Sequence, residues 1–514
     1  MPHVVTQACC GDASCVYACP VNCIHPTPDE PGFATSEMLY VDPSSCVDCG
    51  ACVSACPVGA IVPGHRLTPT QTRFAEVNAD HYASHPTLST TFPVNAVRLP
   101  MAPIDKPRPL QVDGPVSIGI VGSGPSAMYA ADDLLRHRSV RITMYERLDR
   151  PFGLARFGVA PDHTSTRRVM ELFDEIARNP RLEILVNTEV GRDISLDDLR
   201  ARHDGIIWAG GAPTDRRLEI PGIDAQGVHS ATSVVGWYNG HPDHVGIDLD
   251  LSSTTRAVIV GNGNVALDVA RILTTDPDRL ETTDISRPAL AMLRSSTIDE
   301  VVVLGRRGPE HAAFTLPELI GLIDGGANVV VDPADLDRAA TTLDEVTRAK
   351  LDLLAEVAKR DPRSGPRIRF TFFRSPQEVV IDDGAVTGLK VTINRLDPTT
   401  GSVVATDDSE TIDTGLVLTS IGYRGVAVDG LPFDVERGVI PHVNGRVLDV
   451  QAADRHTPVD GVYVTGWIKR GPSGFIGTNK SDSEETVRSL ISDLEAGRLS
   501  GRAKTRKRLL GILR

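Results

Sequence analysis

The chain has 514 residues, 41% hydrophobic and 23% charged, which is too long for one ordinary core and implies several globular domains. Its formal net charge of −14 gives no strong general attraction to phosphate and argues against a nucleic-acid binder. No apolar run approaches the roughly 20 residues of a membrane span, and no secretory leader pattern is found, so a soluble, cytoplasmic protein is expected.

Residues 1–62 hold all nine cysteines, at positions 9, 10, 15, 19, 23, 46, 49, 52 and 56. Structural disulfides would be spread over the domains. Thiols confined to one short segment instead point to a metallocluster module joined to a cysteine-free enzyme of a reducing compartment. The run Cys46-x2-Cys49-x2-Cys52-x3-Cys56-Pro57 has the bacterial ferredoxin spacing, whose fourth cysteine ligates the other cluster. Three thiolates on a tight loop reach three irons of one cube, while the cysteine before proline points away. Two tetrahedral zinc sites do not suit this pattern. Upstream, Cys9-x2-Asp12-x2-Cys15-x3-Cys19-Pro20 keeps three of four thiolates, with Asp12 at the second position. A carboxylate is a harder, weaker ligand for iron, so a fourth iron there should be labile. The two runs resemble bacterial seven-iron ferredoxins. That resemblance implies a [4Fe–4S] cluster held by Cys46, Cys49, Cys52 and Cys19. It also implies a [3Fe–4S] centre, or an aspartate-ligated [4Fe–4S] one, held by Cys9, Cys15 and Cys56 with Asp12. Cys10 is the alternative to Cys9, or a source of the missing ligand through a loop shift. Cys23 resembles the extra cysteine that packs beside a cluster without binding it.

Over 63–113, prolines at 63, 69, 86, 93, 100, 103, 107 and 109 and little apolar periodicity predict a stiff, extended linker. VSIGIVGSGPSAMYAADDLL (116–135) then predicts a buried strand, a glycine turn and a helix. Gly122-x-Gly124-x-x-Ala127 is the kind of turn that lays backbone N–H groups and a helix N-terminus against pyrophosphate. Glu146, at the end of the next strand, suits a ribose hydroxyl. AVIVGNGNVALDVARIL (257–273) repeats the layout with Gly261-x-Gly263-x-x-Ala266. The strand that should end in a ribose-reading acid ends instead in Arg306 and Arg307. Two guanidiniums there suit a 2′-phosphate and favour NADP over NAD. From about 461 the chain returns to strand, glycine loop and helix, with Thr478 suited to cap the helix and aim its dipole at a reduced flavin. The last residues, GRAKTRKRLLGILR, are basic and read as a solvated tail or a contact for an acidic redox partner.

RPFGLARFGVAPDHTSTRRV (150–169) and GWIKRGPSGFIGTNK (466–480) resemble stretches of adrenodoxin reductase-type ferredoxin–NADP reductases. The resemblance implies extended FAD in contact with Ser126, Glu146, Leu154 and Val190. Trp467, Gly474, Phe475 and Ile476 would line its isoalloxazine. For NADP(H) it implies contacts from Arg216, Asn262, Gly263, Asn264, Val265 and Glu318 beside the arginine pair. Pro317 and Gly321 depart from the family's stretch around Glu318. His163 and Asp268 match positions the family places near nicotinamide and flavin, and are the proton-handling candidates.

The expected fold is α/β: two Rossmann-like dinucleotide-binding domains preceded by a small α+β bacterial ferredoxin domain. The ferredoxin domain covers 1–62 and the linker 63–113. FAD-binding parts at 114–213 and 423–514 flank an NADP-binding domain at 214–422. The whole reads as a ferredoxin/ferredoxin–NADP reductase fusion, expected to work as a monomer. Hydride from NADPH would reach FAD, and single electrons would pass through the clusters to a soluble ferredoxin or a cytochrome P450-type acceptor. Three other readings stand beside it: an electron-input subunit like the small subunit of glutamate synthase, a diaphorase or quinone reductase, and a non-catalytic electron carrier.

Overall fold

The computed structural model describes residues 2–85, 110, 112, 114–337, 343–361, 363–397, 400, 402–450 and 457–499. In the cysteine module, strand His3–Val5 pairs antiparallel with Ile61–Pro63, and Ile24–His25 with Tyr40–Val41. Two five-residue helices, Ser14–Ala18 and Ala51–Ala55, each start after a residue with positive φ, Ala13 and Gly50. That sharp entry lets each helix carry one cysteine of its run, Cys15 or Cys52, into the interior.

The linker expectation needs correction over its first part. Arg73–Ser84 is a twelve-residue helix packed on the cysteine module. Phe74, Asn78 and Tyr82 recur every fourth position and are all buried. Asn78 accepts from Val5 N and Val41 N and donates to Val5 O, clamping two strands at once. The Tyr82 hydroxyl reaches the carbonyls of Cys23 and Tyr40. The stripe escaped notice because it has only two aromatic rings and an amide, among prolines that signal extended chain. The rest of the expected linker, apart from a few residues near its end, and the basic tail lie outside the described residues.

The first nucleotide-type sheet runs in the order Leu182–Leu185, Val140–Tyr145, Val116–Val121, Gly205–Trp208, Pro458–Val464, all parallel. Two antiparallel strands, Arg446–Leu448 and His442–Val443, extend it. The second has six parallel strands, among them Arg256–Val260, Glu300–Leu304 and Leu416–Thr419. These read as nearly continuous β-branched runs because helices and a separate three-stranded antiparallel sheet cover both faces. The expected α/β architecture, two nucleotide-type sheets behind a small α+β module, is therefore what is observed. The chain crosses between the two sheets twice, and the crossings pair: Thr214–Asp215 lies antiparallel to Tyr423–Arg424.

Glu300 opens the strand that leads to Arg306. It is buried and gathers three guanidiniums: Arg256 and Arg367 at 2.6 Å and Arg369 at 2.9 Å. Burial alone would raise its pKa, but the arginine hydrogen bonds outweigh that and hold it at about 2, against an ordinary 4.5. The stabilisation is complete above the ordinary carboxylate range and is lost as pH falls from there through about 2. Glu300→Gln is expected to cost about 2 kcal/mol at neutral pH and little at the acid end of that window. Thermal unfolding followed across pH checks this.

Candidate active site

The strand Val116–Val121 delivers the chain into Gly122, whose φ of 92° is left-handed. A Cβ there would lie 2.7 Å from the Ala209 carbonyl, so only glycine lets the turn close against the neighbouring strand. Gly124 faces open space, and helix Pro125–Leu135 begins there with no side chain on its first N–H groups. Four other helices, starting at Leu196, Ala231, Arg287 and Glu345, are capped by Ser or Asp side chains. An uncapped helix start opening on space fits a bound pyrophosphate. Glu146 is buried at the end of the adjacent strand and is already oriented, accepting from Ser123 N and Leu148 N. Leu154 is exposed directly after Gly153, which packs against Gly124. Val190 packs beside the sheet with Val121 and Tyr145.

The C-terminal segment closes over this turn. Ser126 donates to Asn479 Oδ1 at 2.7 Å, tying the first helix to helix Thr478–Glu495. Trp467 is half-buried, 5.0 Å from the Tyr423 ring, and donates to Ser473 O. Gly474, Phe475 and Ile476 lead into the last helix. Thr478 corrects an expectation: the cap position is Gly477, and Thr478 is the first helical residue. Its hydroxyl accepts from Phe475 N at 2.9 Å, so it braces the preceding loop instead.

Around the second turn, Gly261 has φ 116° and sits where a Cβ would strike Ser420 O. Helix Asn264–Thr274 starts uncapped after Gly263, as the first one does. Asn262 accepts from Ala313 N, and Asn264 exchanges hydrogen bonds with Thr315, fixing the turn to the next loop. Val265 packs on the core beneath. Arg306 and Arg307 are exposed, and among the described residues neither pairs with a carboxylate. Their backbone is pinned, because Asn394 donates to Arg306 O and Phe373 N to Arg307 O. Arg216 stands apart on the inter-domain ribbon, its N–H on Gly422 O.

His163, Asp268 and Glu318 come together from three separate segments. His163 Nε2 lies 3.7 Å from Asp268 and 3.8 Å from Glu318. Arg271 takes up the Asp268 charge at 2.8 Å and is bidentate to Asp162. Burial raises the Glu318 pKa, against the pull of His163. The structure thus groups Glu318 with the proton-handling candidates and not with the arginine pair. It also explains the two departures nearby. Pro317 occupies the first turn of helix Leu316–Asp324, where no N–H is needed. Gly321 makes room for Gln7 of the cysteine module, which donates to Glu318 Oε2 at 2.7 Å; a Cβ there would lie 2.1 Å from the Gln7 amide oxygen.

The cysteines separate into two sets. Cys19, Cys46, Cys49 and Cys52 line one small pocket, with Cys49 exposed. Cys23 shares it, 3.4 Å from Cys19 Sγ, and its thiol hydrogen bonds lower the pKa of Cys19 and Cys46. Cys9, Cys15, Cys56 and Asp12 form the other set, close enough for each to act on the others' charge. Beside them the Tyr129 hydroxyl is buried with no hydrogen-bond partner among the described residues, near Cys10, Asp12 and Cys56. The Cys10 side chain packs into the core of the first nucleotide-type domain, and its carbonyl accepts from Gly477 N at 2.7 Å. Gln7, Tyr129 and Lys480, whose ammonium approaches Asp12, carried no sequence signal of their own, because their significance lies in contacts across domain borders.

Residues 39–62 match the 4Fe-4S binding domain family, and 120–187 the NAD(P)-binding Rossmann-like domain family. A probable ferredoxin/ferredoxin–NADP reductase of Mycobacterium tuberculosis is 50% identical over 511 residues, covering 97% of this chain and 85% of that one. The chain belongs to the ferredoxin/ferredoxin–NADP reductase family. Its flavoprotein part is also 42% identical to human mitochondrial NADPH:adrenodoxin oxidoreductase, over 74% of this chain and 79% of that one. The solved structure of Mycobacterium tuberculosis FprA in complex with NADPH matches with TM-score 0.70 and 42% identity, over 76% of this chain and 89% of that one. These matches bear out the resemblance read from the 150–169 and 466–480 stretches. Among the described residues no helix is long and apolar enough to cross a membrane.

Proposed function

We propose that this chain oxidises NADPH and delivers single electrons, through a ferredoxin module it carries itself, to a separate ferredoxin or cytochrome P450-type acceptor. The observation that carries this reading is the seating of the Cys10–Asp12 loop on Gly477, beside the Gly474–Ile476 segment proposed to line the flavin. The cysteine module is not an appendage on a string: it is clamped to both nucleotide domains. Glu37 pairs with Lys350 at 2.6 Å and accepts from Leu316 N, and Arg73 pairs with Asp324.

The residues fit the groups this reading needs. Two uncapped helix starts behind glycine turns suit FAD and NADP(H). Bound flavin supplies the conversion between a two-electron hydride and single electrons, which a nicotinamide does not make readily. The chain's work is positioning: Ser123 and Leu148 hold Glu146 for the ribose, Asn264 fixes the second helix start, and the arginine pair reads the 2′-phosphate. His163 sits between Asp268 and Glu318 as the proton-handling candidate, while Arg271 holds Asp268 in place by an ion pair. For iron, Cys19, Cys46, Cys49 and Cys52 suit a [4Fe–4S] cluster, with Cys23 as a non-ligating donor. Cys9, Cys15 and Cys56 suit a second centre, and the partnerless Tyr129 hydroxyl beside them would find an acceptor there. Because Cys49 is exposed and the Asp12 side faces the flavoprotein, the exit to a partner is put at the Cys49 face. One chain holds every group, so a monomer suffices. Nine free cysteines suit a reducing cytoplasm.

Anaerobic NADPH titration followed by visible absorption and low-temperature EPR tests the reading. One flavin and two iron–sulfur centres per chain are expected, with at least one centre reduced by NADPH. Protein that binds flavin but whose iron centres NADPH leaves fully oxidised would refute it.

A further inference from the structure

Asp12 stands where the cysteine run lacks its fourth thiolate, and the flavoprotein part of the chain reaches in to hold it. Lys480, in the first turn of helix Thr478–Glu495, places its ammonium 3.5 Å from Asp12 Oδ2 and donates to Ser14 Oγ at 2.8 Å. The Ser14 hydroxyl in turn donates to the same carboxylate oxygen. The Asp12 side chain is 5% exposed and that of Lys480 28%, so water screens the pair only in part. The peptide is fixed as well. Gly477 N donates to Cys10 O, and a Cβ on Gly477 would come within 2.2 Å of Asp12 N.

We propose that Lys480 is a positioning residue that withholds Asp12 from iron, so that the flavoprotein part keeps the centre held by Cys9, Cys15 and Cys56 in a three-iron form. This rests on the reading of those cysteines as ligands of a second centre. For Asp12 to bind a fourth iron, its carboxylate must give up an ammonium and a hydroxyl that already satisfy it in a buried place. The same ammonium repels an arriving ferrous ion. Uptake joins one Fe2+ to the one-electron-reduced core, [3Fe–4S]0 + Fe2+ giving [4Fe–4S]2+. No electron is gained or lost, and an Asp12–iron bond replaces the Asp12–ammonium contact.

Full-length holoprotein, reduced anaerobically with dithionite and titrated with ferrous ammonium sulfate, tests this by EPR and by iron per chain. The wild-type protein should keep its three-iron signal. Lys480→Met, and Lys480→Gln as a second neutral variant of similar length, should take up one further iron. The ferrous concentration required should be lower by on the order of tenfold to a hundredfold. Lys480→Arg should behave as wild type, and flavin content and circular dichroism establish that each variant is folded. Equal iron uptake by wild type and both neutral variants overturns the proposal. A wild-type protein with a single cluster overturns the reading beneath it, and the proposal falls with that reading.

Discussion

Replacing Arg306 and Arg307 together by alanine is expected to lower kcat/KM for NADPH by on the order of 10²-fold and to leave the NADH value nearly unchanged. Both guanidiniums are exposed, and neither is matched to a carboxylate among the described residues, so their charge is available to a dianionic phosphate. The loop that carries them is held by its backbone, through Asn394 and Phe373, so truncating the side chains removes charge without moving the turn. A guanidinium–phosphate contact is charge-assisted and often bidentate, and NADH has no group to receive it. The NADPH preference should also shrink as ionic strength rises, since these contacts are solvent-accessible. Steady-state kinetics with both coenzymes at two salt concentrations decides the matter. Equal losses with NADPH and NADH would place the 2′-phosphate elsewhere.

The second large effect is expected from Cys49→Ser with Cys52→Ser. Serine offers a harder, weaker oxygen in place of thiolate, so reduction of an iron–sulfur or haem acceptor should fall by on the order of 10²-fold. Reduction of a small dye by NADPH should survive. Its groups belong to the flavoprotein domains, and neither cysteine is part of the core of the first of them. The flavin absorption should be retained while the cysteine module loses iron and stability together, because metal binding and folding are coupled in so small a domain. Dye and acceptor rates falling in parallel would mean that the clusters support the flavoprotein instead of carrying its electrons outward.

Much of this site was legible because its chemistry is written in short spacings. Cys46 to Pro57 is one short segment, a loop followed by a five-residue helix, and its cysteine spacing does not depend on distant contacts. Gly122 and Gly261 each sit between a buried strand and a helix, where backbone geometry alone demands glycine. Arg306 and Arg307 follow directly from the end of a strand whose position in the sheet the second turn already implies. The helix Arg73–Ser84 was hidden for the opposite reason. Its burial comes from Asn78 bridging Val5 and Val41, partners no local window contains. Thr478 was misread by one position because helix starts are decided by backbone dihedrals that a favourable residue type does not determine.

By itself, then, the sequence showed which short patterns the chain carries: a ferredoxin-type cysteine run, two glycine turns of the nucleotide-binding kind and an arginine pair read as a 2′-phosphate site. Each is encoded within a few neighbouring residues. The tertiary structure alone decided how those parts address one another. It brought Gln7 onto Glu318, seated the Asp12 loop on Gly477, and set Lys480 against the Asp12 carboxylate. Such contacts join residues hundreds of positions apart. They depend on how whole domains pack, because burial and electrostatic attraction act through space and take no account of order along the chain.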